Sequence, residues 1–220
     1  MFDGAMLSLL GTGILETLYM TLASTLVAYL LGLPIGIALV VTDKDGIHPM
    51  PVLHGILGVV VNILRSVPFL ILMVAILPVT RAIVGTTIGS SAAVVPLVVA
   101  AAPFVGRMVE SSLKEVDPGV IEAAQSMGAS NWRIVWNVLL PEAKPNLIVG
   151  SAIALTTILG YSAMAGFVGG GGLGAIAVNY GYYRYQTDTM LITILFLVVI
   201  VQIMQEIGMR IAQKTDRRQS

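Results

Sequence analysis

The chain of 220 residues contains no cysteine, which excludes disulfides and thiolate metal sites. It has two histidines, His48 and His54, whose spacing of six does not put both on one helix face as a ligand pair would need. Metal and haem chemistry are not expected. Charged residues make up only 11% and the formal net charge is zero. That balance alone names no partner, and no nucleic acid is expected. No lysine or arginine occurs in residues Met1 to Gly13, so the basic start of a cleavable signal peptide is missing there. A phosphate loop is absent too: the four lysines follow Asp43, Leu113, Ala143 and Gln213, and none completes Gly-Lys-Ser/Thr. The chain therefore has no ATP site, no catalytic set and no cofactor of its own. The run Gly172-Leu173-Gly174-Ala175-Ile176-Ala177 fits a dinucleotide fingerprint on paper. It fails on context, since no strand precedes it and no acidic residue follows about 20 positions on.

Apolar residues are abundant, at 56% against a usual share of roughly 45–50%, and the mean hydropathy is +0.91. These values describe an integral membrane protein forming one domain over residues 1–220. At roughly 20 apolar residues per crossing, about five or six helices fit. The hydrophobic pattern places five spans at about Ile14–Val41, Val52–Val79, Ile83–Val109, Asn146–Val168 and Thr189–Ile207. Glu16 falls in the first turn of the first span, where the helix dipole favours an anion. Gly32 and Gly36 form a small-residue face that admits a neighbouring helix, and Pro34 allows a kink. Ala100-Ala101-Ala102 does the same for the third span. Tyr180, Tyr182, Tyr183 and Tyr185 form an interfacial aromatic belt beyond the glycine run Gly169–Gly172. That run reads as a mobile hinge on the outer face, a gate element or a contact for a delivery protein.

One long amphipathic block interrupts the apolar pattern, from Asp117 to Pro141. Asp117 can cap a helix with Pro118 at its first position, and Gly128 can supply the left-handed residue that ends it. A second short helix starts at Ser130 and should stop near Leu140, because Pro141 disfavours helical backbone in the residue before it. The order Glu122-Ala123-Ala124, three residues, Gly128, nine residues, then Val138-Leu139-Leu140-Pro141 resembles the EAA signature of permease subunits of bacterial ATP-binding-cassette (ABC) importers. Val138 stands where isoleucine is usual. Arg65-Ser66-Val67-Pro68-Phe69, Gly160-Tyr161-Ser162-Ala163-Met164 and Gly171-Gly172-Leu173-Gly174 further resemble permeases of methionine importers, from about residue 13 onward.

The resemblance implies an all-α integral membrane protein of five transmembrane helices, with the type I ABC importer permease fold over residues 13–207. It implies a coupling segment at 117–141, in which Glu122, Ala123, Ala124, Gly128 and Pro141 meet an ATPase subunit. It also implies a homodimer in the bacterial inner membrane with two ATPase subunits, which bind ATP and Mg, and an extracytoplasmic substrate-binding protein. The cargo it implies is methionine, as the D or L form. Without the resemblance, the residues support a permease of an ATP-driven importer; methionine rests on the resemblance, and another small amino acid or related solute is the alternative cargo.

Charge sets the expected topology. With the N-terminus outside, Lys44, Arg107, Lys114, Arg133, Lys144, Arg210, Lys214, Arg217 and Arg218 lie on cytoplasmic segments, against Arg81 and Arg184 outside. The same arrangement puts the coupling segment and the C-terminus in the cytoplasm. Within the membrane, the polar groups able to line a path or gate are Asn62, Arg65, Ser66, Tyr161, Ser162 and Met164. Arg65 lies about 12 residues into the second span, roughly 18 Å at 1.5 Å per residue. An arginine there costs about 2.5–3.5 kcal/mol and needs compensation. It could attract a substrate carboxylate, or be neutralised by an acid such as Glu110 or by backbone carbonyls. Met164 is a gate plug or simple packing. An ion-coupled carrier is the rival of another class, but Glu16 and Glu206 sit near span ends and no inverted repeat is evident.

Overall fold

The computed structural model describes residues 4–215, and Arg217 and Arg218 lie outside them. The described residues form helices joined by short turns: α1 (Gly4–Val41), α2 (Pro51–Ser66), α3 (Phe69–Ala75), α4 (Leu77–Val84), α5 (Ser90–Lys114), α6 (Pro118–Ser126), α7 (Asn131–Ile134), α8 (Leu140–Glu142), α9 (Lys144–Ala165), α10 (Gly172–Ile176) and α11 (Thr187–Thr215). Four stretches, based on α1, α5, α9 and α11, are long and apolar enough to cross a membrane, and α2 with α3 makes a fifth if that bent pair is one span.

Helix α5 is the centre. Ala93, Leu97, Ala101, Val105, Val109 and Leu113 recur every four residues along it and are all buried. Its most extensive partner is α1, and the small residues explain why. A Cβ on Gly32 would lie 2.6 Å from Val105 Cγ1, and one on Gly36 would lie 2.6 Å from the Gly106 carbonyl oxygen. The two backbones touch where only glycine fits. Pro34, Pro96 and Pro103 sit inside α1 and α5, and neither helix ends at them. The opposite face of α1 exposes Leu15, Leu22, Leu26 and Leu30, an apolar stripe suited to lipid or to a neighbouring subunit.

Several boundaries differ from the sequence pattern. Helix α1 begins at Gly4, ten residues ahead of the expected Ile14, so Glu16 lies well inside it. The second span breaks: Val67 is extended (φ −77°, ψ 124°) ahead of Pro68, and the flanking helices bend by 99°. The third starts at Ser90, because Ile83 belongs to α4, which ends at left-handed Gly85 (φ 83°). The last runs to Thr215 rather than Ile207.

The glycine run is closely packed. Gly169, Gly171 and Gly172 have positive φ, and a Cβ on Gly174 would come within 2.2 Å of the Ala163 carbonyl oxygen. Close backbone approach accounts for these glycines without invoking mobility. The amides that follow are held from α1: Gly172 N–H donates to the Glu16 carboxylate (2.6 Å) and Leu173 N–H to the Thr17 hydroxyl (2.9 Å). Glu16 thus caps α10 across the chain rather than balancing the dipole of its own helix.

Candidate coupling segment and translocation path

The segment from 117 to 141 is built by two local stops. Asp117 Oδ1 accepts from Gly119 N–H (2.8 Å) and Pro118 opens α6. At the other end Ala129 N–H donates to Ala124 O (3.1 Å) and Gly128 N–H to Gln125 O (2.9 Å), with Gly128 at φ 77°. This is a Schellman stop, which needs a left-handed residue where glycine stands. Ser130 then caps α7.

The second helix does not stop at Leu140. Leu140 is helical (φ −66°, ψ −44°), and its N–H donates to Val135 O, five residues back, at the end of a π turn over Val135–Leu139. Pro141 lacks an N–H and its ring crowds the carbonyl four residues before it; widening the turn just ahead lets the chain pass through.

Of the five residues expected to meet an ATPase subunit, Glu122, Ala123, Gly128 and Pro141 are exposed, whereas Ala124 is buried. Ala124 therefore seats α6 on its own chain, and Ala123 keeps the open face small. Trp132 and Trp136 stand beside them, largely exposed, with ring centroids 5.4 Å apart. Glu122 also lines a cavity of about 450 Å³ between α6 and the 43–47 loop, together with Asp43, Lys114, Ile121 and Gln125.

An ionic chain connects that loop to the membrane helices. Asp43 pairs with Lys114 (2.7 Å), Lys114 with Glu110 (3.0 Å), and Glu110 with Arg107 (2.6 Å). Arg107 in turn donates to Gly58 O (3.1 Å) and Asn62 Oδ1 (3.0 Å) on α2. The Lys114 ammonium holds the Asp43 carboxyl below its usual range. Glu110 is only 6% exposed, and the two cations compensate its burial. Glu110 is thus committed to Arg107 and Lys114, and it does not neutralise Arg65. Sequence reasoning missed this network, although Arg107, Glu110 and Lys114 stand at i, i+3 and i+7, one face of a helix.

The six path residues do not converge. Asn62, Arg65 and Ser66 share the last turn of α2, exposed, where Ser66 Oγ donates to Asn62 O (2.8 Å). Arg65 has no hydrogen bond or ion pair to the described residues and faces a second cavity, of about 460 Å³, between α2, α5 and α9. Tyr161 stacks on Phe69, centroids 4.7 Å apart and planes within 8°, which pins α9 to α3. Ser162 is buried and its hydroxyl donates to Leu159 O (2.8 Å), so it faces the core. Met164 is exposed near the C-terminal end of α9.

Residues 28–217 match the family described as binding-protein-dependent transport system inner membrane component. The chain is 51% identical over 210 residues to a Vibrio cholerae protein named "Probable D-methionine transport system permease protein", covering 96% of this chain and 93% of that one. It is 50% identical over 161 residues to the Escherichia coli K12 D-methionine transport system permease protein, covering 73% and 74%. Among solved structures, an inward-facing conformation of the MetNI methionine ABC transporter superposes with a TM-score of 0.97 at 46% identity, over 98% of this chain and 100% of that one. An amino acid ABC transporter solved with histidines shares the fold, with a TM-score of 0.78 at 19% identity over 97% and 99%. The chain therefore belongs to the family of inner membrane components of binding-protein-dependent transport systems, the permease subunits of ABC importers.

Proposed function

We propose that this chain is the permease of an ATP-driven methionine importer, D or L, that works as a homodimer with two ATPase subunits. An extracytoplasmic binding protein delivers the cargo. The observation that most supports the cargo is the 51% identity, over nearly the whole chain, to a relative named for D-methionine transport. Another small amino acid is the alternative cargo.

The geometry supports the energy route. The chain has no phosphate loop, so ATP and Mg are bound by the partner, and force enters through the exposed turn at Glu122, Ala123 and Gly128. Closure of the ATPase pair moves this turn. The Asp43–Lys114–Glu110–Arg107 chain then carries the motion to α2, whose last turn bears Asn62, Arg65 and Ser66. The path alternates between outward and inward access, and nucleotide and cargo each act only through unequal affinity for the two states. The N-terminus lies outside and the C-terminus in the cytoplasm.

The test is transport by the assembled complex in proteoliposomes. Methionine uptake should require ATP, the ATPase and the binding protein together. Uphill uptake by the permease alone on an ion gradient would instead establish a secondary carrier.

A further inference from the structure

The cavity between α2, α5 and α9 holds two arginines in different electrostatic states. Arg107 is compensated by Glu110, the Gly58 carbonyl and Asn62. Arg65, lining the same space, has no polar partner among the described residues. A guanidinium on a membrane helix costs about 2.5–3.5 kcal/mol without compensation, and the nearest helix, α5, has spent its buried acid elsewhere. Glu115, the carboxylate that lines this cavity, accepts from Asn146 Nδ2 (2.5 Å), an engagement that ties α5 to α9. The rest of the wall is mostly apolar: Phe104, Met108, Val149 and Ile153. At about 460 Å³ the space falls within the roughly 300–1,000 Å³ of small-molecule sites.

We infer that this cavity is a cargo site in the permease itself, with Arg65 holding the carboxylate of an amino acid whose apolar side chain lies against Met108, Val149 and Ile153. The inference rests on the permease function proposed above and adds a site to it. A planar guanidinium with free donors matches a carboxylate bidentately, whereas a lysine offers a point charge. A flexible thioether at Met108 adapts to an unbranched cargo chain. Gly150 on the α9 wall is buried, and a Cβ there would meet Met108 Cε at 3.4 Å and the Tyr29 hydroxyl at 3.8 Å, so the cavity is filled instead from Ile153, which lines it and is exposed.

The purified permease–ATPase complex, with the binding protein omitted, is titrated with labelled methionine and with the amine left when its carboxyl is removed. R65Q should weaken one methionine site about tenfold or more, the loss of one charge-assisted pair, and R65K should weaken it less. The amine should show no Arg65-dependent site. I153W should abolish the same site with Arg65 in place, and I153V should retain it. Should R65Q fail to assemble, I153W against I153V decides alone. Methionine binding unchanged in the fillers and charge variants, or amine binding lost in parallel with methionine, overturns the site. ATP-driven uptake by the wild-type complex is measured beside it: intact uptake with Arg65-independent binding refutes the site only, whereas absent uptake refutes the permease function beneath it.

Discussion

At residue 128 the constraint is in the backbone. Gly128 has φ 77° and nothing within 4 Å of where a Cβ would stand. A Gly128→Val substitution meets no clash, yet it forces a β-branched residue into left-handed geometry at about 1–2 kcal/mol or more. The expected outcome is a protein that inserts and folds with little loss of thermal stability, retains ATP hydrolysis in the complex, and loses most methionine uptake. Uptake and hydrolysis measured on the same proteoliposomes check this, and unimpaired coupling would remove the segment from the mechanism.

Asp43 makes a pH prediction at the same scale. Its folded pKa lies below the ordinary aspartate value because Lys114 donates to it. A depressed carboxylate contributes stability that is present above its unfolded pKa and lost as pH falls through the folded one. The contribution is under about 1 kcal/mol, since Lys114 is half exposed and keeps Glu110. Asp43→Asn should therefore soften the 42–50 loop near neutral pH, and the difference from wild type should vanish in acid. Hydrogen exchange of the loop amides across pH reads both effects.

Between elements, the informative joint is α1 against α10. The Glu16 carboxylate accepts from Gly172 N–H at 2.6 Å, in a pocket also lined by Thr12, Asn179 and Tyr180. Glu16→Ala would leave that amide without its partner, costing roughly 1.5–3 kcal/mol for a hydrogen bond to a charged group. Glu16→Gln keeps an acceptor and should cost less. Faster exchange of the amides around Gly172–Gly174, ordered Ala above Gln above wild type, is the expected readout. Equal exchange in all three would mean that α9 contacts alone hold the glycine run.

For the whole molecule, the five-span plan was legible because long apolar runs and polar links are properties of composition along the chain. The helix cap and stop of the 117–128 segment were legible because Asp-Pro and Gly at Asp117, Pro118 and Gly128 act on their own neighbourhood. What could not be read were consequences of tertiary contact. Glu16 resembled a dipole partner for its own helix, and only folding brings Gly172 to it, 156 residues away. Leu140 resembled a helix end, because a π turn that absorbs a proline has no sequence mark. Among the path residues, Arg65 kept a place on a cavity while Ser162 turned inward, a distinction that helix phase relative to the neighbours decides. The absence of cysteine makes the membrane orientation directly testable. Single cysteines at Lys44→Cys and Arg184→Cys in intact cells should react with an impermeant maleimide only at 184. The opposite labelling would invert the topology.

The two tryptophans of this protein are Trp132 and Trp136, a tilted pair exposed on the same short stretch. Indole emission from the purified subunit is consequently a native optical reporter of that stretch alone, with no dye attached. Covering the pair with another protein's groove would shift the band to shorter wavelength, so assembly and its kinetics can be followed by stopped-flow mixing against a tryptophan-free partner.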